Sequence, residues 1–408
     1  MPPRHDLQAE GDSDLRARLL EERAVKKAIE RLKKDGAGEG ARRQLLATAT
    51  RLTPEMAPDL HGIIDSCRKT LGVEGELELF VYPQASFNAA AVRPEKGRLM
   101  LMVSSALLEG FEADELRFVA GHEVGHYLFD HHAIPTGALL AGGSSLSPQL
   151  TLQLFAWQRY AEISADRAGL VCAGGLEPAA LGLFKLASGL KGDRVHVRID
   201  QFLAQVADLR LEAESQASAD EEARGEWFAT HPFSPLRLKA AELCAGSEIM
   251  VTGGLTRQVL EARVQELMTL MNPSYLQERS DIAEAMRRLL FAGGIAVATA
   301  MGTVTPEAIE ELERLLGLGS VSPGIKSDAV LADLPSRIES VRASVPPLRR
   351  VQVIRDLCLV ARADGHMAEA EVEVIRGIAA GVEVNPDVVS CSLDPSCAEC
   401  GCSVPSVS

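Results

Sequence analysis

The sequence predicts a mainly α protein with a small β-sheet, an α+β fold, followed by a C-terminal domain that is an all-α helical bundle. Apolar residues recur at helical spacing along most of the 408 residues, whereas Leu77–Tyr82 and Arg98–Val103 have the composition of strands. An internal repeat supports the bundle, because Val297–Thr305 aligns with Val360–Ala368 about sixty residues later. Each copy has an apolar helix, a glycine and an acidic helix, which predicts two helical hairpins packed together.

The remaining elements follow from periodicity and turn residues. Amphipathic helices are predicted over four stretches: 14–34, 40–50, 197–213 and Leu255–Met271. Residues 113–129 and Tyr160–Leu170 form further helices, and the uncharged, Gly-containing stretch Ala133–Gln158 between them is predicted as a mobile loop with one short helix. We therefore divide the chain into a helical segment (1–54), a first folded domain (55–250), a helical linker (251–279), the bundle (280–385) and a Cys-rich flexible tail (386–408).

Composition argues against several classes of protein. The chain has 57 acidic and 42 basic residues, a formal net charge of −15, which argues against nucleic acid as a partner. Met1–Gly11 lacks the apolar region of a secretory leader, and the Gly-rich run Leu289–Thr305 suits a buried helix better than a membrane span. We expect a cytoplasmic protein, with peripheral membrane association left open.

Four cysteines are expected to be buried free thiols: Cys67, Cys172, Cys244 and Cys358.

The pentapeptide HEVGH at residues 122–126 carries the chemistry. On a helix, His122 and His126 lie one above the other on one face, so both imidazoles can bind one metal ion. Glu123 lies one position round the helix, where a carboxylate can act as general base. This HExxH spacing is typical of zinc peptidases. A surface helix with two incidental histidines is the alternative interpretation.

Zinc needs a third protein ligand, and a second helix offers one. Glu162 and Asp166 are four residues apart, so they share a helix face. Glu162 is the candidate ligand, and Asp166 is the candidate carboxylate that accepts the free ring N–H of a ligating histidine. The alternative is a solvated acidic face with Arg159 and Arg167 as ion-pair partners. Paired with HEVGH, the metal site is favoured.

Residues 55–245 resemble the HtpX-like and CAAX-prenyl-protease-like zinc metallopeptidases. The resemblance rests on Phe87–Ala91, on HEVGH, on Glu162–Asp166 as an ExxAD motif and on the THP element in Thr230–Leu238. It implies a zincin-like domain in which His122, His126 and Glu162 bind zinc, Glu123 is the base and Asp166 orients His122. His231 is implied to assist at the oxyanion or the substrate, although a loop histidine before a proline explains it equally well. Arg237 and Asn88 are further candidates for substrate or oxyanion contacts, and His131 is expected to be structural.

The second copy of the repeat resembles the TerB-like tellurite-resistance domain, over about residues 280–385. The resemblance rests on Ala363-Asp364-Gly365 and on Glu371, and the first copy has Met301 where the aspartate would be. Asp364 and Glu371 are either metal ligands or a capping aspartate and a solvated glutamate, and general cap preferences favour the second interpretation.

These features predict a zinc-dependent metalloendopeptidase with one catalytic Zn²⁺ ion. It would hydrolyse unfolded or extended polypeptides through a zinc-bound water activated by Glu123, with the substrate added to an edge strand Leu99–Val103. We expect a role in bacterial protein quality control or stress response, with the TerB-like domain recruiting protein partners. Two alternatives stay open: a non-catalytic zinc-containing scaffold that binds unfolded clients in the manner of a chaperone, and a protein whose bundle acts in metal or tellurite response.

Overall fold

A computed structural model provides the structure of the chain. It describes residues 3–34, 40–95, 97–141, 146, 148–191, 195–215, 232–271, 275–276, 281–302, 304–317, 320–321, 327–364, 367–386 and 388–389. Within these residues the protein is predominantly helical with one four-stranded sheet, which confirms the predicted fold class. The chain forms two compact units, Met1–Gln205 with Phe228–Arg257 and Val206–Trp227 with Gln258–Ser408.

The elements up to residue 188 contain the sheet and the central helices. In chain order they are α1 (Arg4–Leu7), α2 (Glu10–Glu21), α3 (Arg23–Lys34), α4 (Ala41–Thr48), β1 (Thr50–Leu52), α5 (Pro58–Leu71), β2 (Glu76–Tyr82), β3 (Ala89–Glu95), β4 (Arg98–Ser104), α6 (Ser105–Gly110), α7 (Ala113–Leu128), a 3₁₀ turn (His131–Ala133), α8 (Thr136–Ala141), α9 (Pro148–Ala173) and α10 (Leu176–Ser188).

The elements after residue 188 are helices. They are α11 (Ile199–Ser215), α12 (Ser234–Ala245), α13 (Arg257–Thr269), α14 (Asp281–Ala298), α15 (Pro306–Leu316), α16 (Ser327–Ser344), α17 (Pro347–Ala361) and α18 (Glu369–Gly381). Helices α14 and α15 form the first copy of the internal repeat, and α17 and α18 form the second. Gly302, at the break in the first copy, has φ of +82°, a backbone conformation that glycine adopts without steric cost.

The strands have the order β1-β2-β4-β3, with β2 and β4 parallel and the other pairs antiparallel. Leu79 and Leu101 on one face pack with residues of α5 and α7, whereas Phe80 and Met100 on the other face pack with α4. The predicted edge strand Leu99–Val103 is therefore wrong, because β4 lies between β2 and β3. The edge strand next to β4 is β3, and β1 is at the opposite edge. Sequence periodicity did not mark β3 because it begins with three alanines and contains Pro94.

Two predicted element boundaries also differ. The helix predicted over 14–34 is two helices, because Glu22 adopts an extended conformation between α2 and α3. The loop predicted over Ala133–Gln158 contains α8 and the first eleven residues of α9, which begins at Pro148 rather than near Tyr160. The early turns of α9 bury Leu150, Leu154 and Trp157, and this helical spacing of apolar residues outweighs the lack of charged residues.

Helices α7 and α9 approach each other closely through small residues. A Cβ atom added to Gly169 of α9 would lie 2.6 Å from the backbone oxygen of Phe118 on α7. A Cβ atom added to Gly121 of α7 would lie 2.6 Å from Cβ of Cys172 and 2.9 Å from Cα of Gly169. These distances leave no room for a methyl group. The glycines therefore fix the spacing of the two helices that carry HEVGH and Glu162.

The C-terminal unit has its own apolar core. Buried residues of the helices from α14 to α18 fill it, among them Leu290, Val297, Leu312, Val353 and Ile378. Val388 and Val389, which the sequence placed at the start of the tail, are also buried in this core. Residues 390–408, with the four clustered cysteines of the predicted tail, lie outside the described residues.

Two expectations about the whole chain are resolved within the described residues. No helix there combines the length and apolar character that crossing a bilayer requires. Cys67, Cys244 and Cys358 are buried and form no disulfide, as predicted, whereas Cys172 also forms no disulfide but is half-buried.

We expect Gly169→Ala to lower the free energy of unfolding by about 1–3 kcal/mol, because the added methyl group meets backbone that cannot move aside. Urea denaturation followed by tryptophan fluorescence measures the change. Gly62→Ala is the matched control, since Gly62 lies within α5 and no atom lies within 4 Å of an added Cβ. That control should be as stable as the parent or gain up to about 1 kcal/mol. Equal stability of the two variants would show that the helices are not in close contact.

Candidate metal centre

The structure brings His122 and His126 of α7 together with Glu162 of α9. The Nε2 atoms of the two histidines are 3.2 Å apart. His122 Nε2 lies 3.4 Å from Oε2 of Glu162, and His126 Nε2 lies 3.6 Å from Oε1. Within the part of the chain that the structure describes, these three residues are the only cluster of His, Cys, Asp or Glu side chains with metal-ligand spacing.

The three side chains fit a zinc ion. Zinc binds histidine nitrogen at about 2.0–2.1 Å in tetrahedral geometry, so two of its ligand atoms lie about 3.3 Å apart. The separations between His122, His126 and Glu162 bracket this value. Two imidazoles and one carboxylate are also the protein ligand set of known catalytic zinc sites, which keep a fourth position open. The observed spacing therefore suits one zinc ion with room for water or substrate.

Asp166 and Arg237 support this cluster from behind. Asp166 Oδ1 accepts a hydrogen bond from Nδ1 of His122 at 2.9 Å, and Arg237 binds both Asp166 oxygens, with Nε at 2.8 Å and Nη2 at 2.6 Å. Glu162 is only 8% exposed and Asp166 only 1%, so the alternative of a solvated acidic face is excluded. Arg237, which the sequence offered as a substrate or oxyanion contact, is positioned to hold Asp166 in place, and a contact with substrate stays a prediction.

Neighbouring charges set the protonation of the site. Glu123, Glu162 and Asp166 are buried, and Nη2 of Arg237 lies 2.6 Å from Asp166 and 3.5 Å from Glu162. Burial alone would lower the pKa of His122, but its hydrogen bonds and charge interactions with Asp166 and Glu162 raise that pKa to about 10. The ring therefore takes up a proton when no metal is present. A divalent cation would compensate the same negative charges.

Glu123 lies beside the ligand cluster and contacts the edge strand. Its Oε2 accepts the backbone N–H of Ala91 in β3 at 2.6 Å. Burial raises the pKa of Glu123 above its ordinary range, and the charge of Glu162 adds to the rise, whereas His122 and the Ala91 N–H act in the opposite direction. A carboxylate with a raised pKa in a buried site is suited to accepting a proton near neutral pH.

Strand β3 is held against α7 by further hydrogen bonds. His132 Nε2 lies 2.9 Å from the carbonyl oxygen of Ala91, and the Tyr127 hydroxyl donates to the carbonyl oxygen of Val92 at 2.7 Å. These contacts place the edge of the sheet directly beside Glu123. They follow from tertiary structure, and the sequence pattern gave no indication of them.

Sequence reasoning missed a second buried group behind the site. His126 Nδ1 lies 2.8 Å from Nδ1 of His131, and His131 Nε2 lies 3.0 Å from Oδ2 of Asp12. His131 was expected to be structural because it lies off the face shared by His122 and His126. Asp12 gave no signal at all, since it is one of several acidic residues in a charged N-terminal helix.

The other candidate residues have separate environments. The side-chain amide of Asn88 donates to the Tyr82 hydroxyl at 2.7 Å and is exposed. Thr230 and His231 of the THP element lie outside the described residues. Glu371 is buried and accepts the backbone N–H of Ala368 at 2.8 Å, so it caps the start of α18 and is not the solvated glutamate that the sequence suggested. Asp364 is exposed.

Comparisons with known proteins agree with this site. A family model described as Peptidase family M48 matches residues 54–145 and 137–244, and one described as Tellurite resistance protein TerB matches residues 287–390. The Plastoglobule-localized metallopeptidase 48, chloroplastic, of Arabidopsis thaliana is 28% identical over 169 residues, which are 39% of this chain and 49% of that protein. The chain thus matches about half the length of this relative. No solved structure matches the chain.

The M48 match contains HEVGH, Glu162, Asp166 and Arg237, and the TerB match contains the second copy of the internal repeat. Both resemblances stated from the sequence are therefore confirmed at the level of domains. The N-terminal part of the chain thus matches the model of peptidase family M48, and its C-terminal part matches the TerB model.

Proposed function

We propose that the chain is a zinc-dependent metalloendopeptidase that hydrolyses unfolded or extended polypeptides. The observation that carries the proposal is the buried cluster of His122, His126 and Glu162, with spacings suited to zinc and with Glu123 beside it. A structural zinc site has no need of a further buried carboxylate that binds no metal and has a raised pKa, as Glu123 does. The family match supports the same reaction class.

The side chains divide the work of peptide hydrolysis. His122, His126 and Glu162 would hold the zinc ion, which when bound would supply a Lewis acid that polarises the scissile carbonyl and lowers the pKa of water. Glu123 takes the proton from the attacking water and passes it to the leaving amine. The Ala91 N–H holds one oxygen of Glu123, which leaves the other oxygen for this proton transfer. Asp166 orients His122, and Arg237 holds Asp166. His231 at the oxyanion stays a prediction.

The substrate class follows from the edge strand. Strand β3 pairs with β4 on one side only and lies beside the base. An extended polypeptide that added to this edge would form main-chain hydrogen bonds with little dependence on side chains. The site therefore suits unfolded or extended chains, with β3 in the role that the sequence assigned to Leu99–Val103.

The TerB domain and the location of the protein complete the proposal. Several expectations stay predictions from the sequence: a role in protein quality control or stress response, recruitment of protein partners by the TerB domain, and a bacterial origin. A cytoplasmic location, with peripheral membrane association left open, also stays a prediction. The non-catalytic client-binding scaffold is the second candidate, because the same edge strand would hold an extended client without cleaving it. Cleavage assays separate the two candidates.

We expect Glu123→Gln to abolish cleavage of an unfolded model protein while zinc still binds, because the amide cannot accept the proton from water but leaves the three ligands in place. Cleavage by the zinc-loaded parent and by the variant, at matched zinc content, is followed by gel electrophoresis. Asp114→Asn, at an exposed position of the same helix, is the control and should cleave like the parent. Cleavage by Glu123→Gln at the parent rate would contradict the proposed role of Glu123.

We expect Glu162→Gln to weaken zinc binding by at least about tenfold, because a neutral amide oxygen replaces the only charged ligand of the cluster. Competition with a chromogenic chelator measures the affinity. The parent treated with chelator should lose its cleavage activity and regain it when zinc is restored. Glu177→Gln, at an acidic position in the first turn of the neighbouring helix α10, is the control. Zinc affinity unchanged in Glu162→Gln would remove Glu162 from the ligand set.

A further inference from the structure

A buried acid from the N-terminal segment reaches the candidate metal site. Asp12 lies on α2, well before residue 54, where the match to family M48 begins. Its side chain is 0% exposed and accepts four hydrogen bonds: from His131 Nε2 at 3.0 Å, Trp157 Nε1 at 2.9 Å, Ser164 Oγ at 2.8 Å and Gln8 Nε2 at 3.0 Å. The four donors satisfy this buried carboxylate and hold it in one position.

The helix that carries Asp12 is fitted closely to α9. A Cβ atom added to Gly11 would lie 2.5 Å from the ring of Tyr160, so the two helices touch at this point. The backbone N–H of Ala9 donates to Ser164 Oγ at 3.0 Å, and the same hydroxyl donates to Asp12. The position of Asp12 is therefore tied to the helix that supplies Glu162.

The ionisation of Asp12 sets the direction of the hydrogen bonds that join Asp12, His131 and His126. Hydrogen bonds from Trp157, Ser164 and Gln8 to the carboxylate of Asp12 favour its ionised form. An ionised carboxylate only accepts, so His131 carries a proton on Nε2. In the neutral imidazole its Nδ1 is then bare and accepts from Nδ1–H of His126, 2.8 Å away.

This arrangement leaves Nε2 of His126 without a proton, facing Glu162 and His122. It is the tautomer that a metal ligand needs. The opposite direction would place the proton of His126 on Nε2 and aim two lone pairs at each other between His131 and Asp12. The hydrogen bond from His122 Nδ1 to Asp166 leaves Nε2 as the nitrogen that would bind the metal.

We infer that Asp12 is a positioning residue of the metal site, which acts through His131 to fix the tautomer and ring orientation of His126. The inference rests on the proposed function only in taking His126 as a zinc ligand. Each histidine of HEVGH is thus held by its own carboxylate: Asp166 directly for His122, and Asp12 through one intervening imidazole for His126. The N-terminal segment is thereby a part of the site.

The test is the zinc affinity of the full chain with Asp12→Asn, measured by competition with a chromogenic chelator. With its oxygen towards Trp157, the asparagine presents its NH₂ group to His131 and reverses the direction of the hydrogen bonds. We expect a loss of about 10–100-fold in zinc affinity, the usual effect of removing a residue that orients a ligand. Asp14→Asn, at an exposed position of the same helix, should bind zinc like the parent.

Two further variants separate positioning from stability. Trp157→Phe removes the donor to the other oxygen of Asp12 and leaves His131 in place, so it should lower the melting temperature but keep the zinc affinity within about threefold of the parent. His131→Gln interrupts the same route and should weaken zinc binding as Asp12→Asn does, even if Asp12→Asn fails to fold. Long-range ¹H–¹⁵N spectra of the zinc-free parent should show the Nδ1–H tautomer for His126.

Parent-like zinc affinity in His131→Gln would overturn the inference. An equal loss of affinity in Trp157→Phe and Asp12→Asn would also overturn it, because general destabilisation would then explain both. The zinc measurements do not depend on cleavage. If the predicted affinities are found but the parent cleaves no unfolded protein, the proposed peptidase function fails while the role of Asp12 stands.

Discussion

The close packing of α7 against α9 is the constraint on which the candidate site depends. Two of the proposed ligands lie on α7, and the third lies on α9 with Asp166 one turn further along. Ligand atoms from the two helices come within 3.4–3.6 Å only because Gly121 and Gly169 let the backbones approach to a distance that excludes a Cβ atom. The glycine inside HEVGH has the same function, since a Cβ atom on Gly125 would lie 2.9 Å from Cβ of Ala168.

A second constraint is electrostatic. The site buries Glu123, Glu162 and Asp166, and burying a charge is costly unless it has a partner. Arg237 binds Asp166 through two hydrogen bonds. The ligand atoms of His122, His126 and Glu162 have the spacing that suits one divalent cation. Hydrogen bonds to the far nitrogens of both histidines prepare the rings for that cation before it binds.

The two matched domains differ in the residues that they contribute to the candidate metal centre. The N-terminal unit contains every described residue of the candidate metal centre, and the N-terminal segment contributes Asp12 to it although the family match begins later. The TerB unit has a separate apolar core, and its motif residue Glu371 serves to cap a helix. Within the described part of the TerB unit, no group of side chains has the spacing of a metal site.

The sequence by itself determined the local features: the helices of HEVGH and of Glu162, the two clearest strands, the repeat in the bundle and the pairing of Asp166 with His122. Each of these depends on spacing within one element or on a motif with a known geometry. Only the tertiary structure decided that β3 is the edge strand, that Arg237 binds Asp166, and that Asp12 reaches His126 through His131. The contact between Asp12 and His131 joins residues 119 positions apart. Such contacts arise from helix packing and leave no periodic signal in the chain.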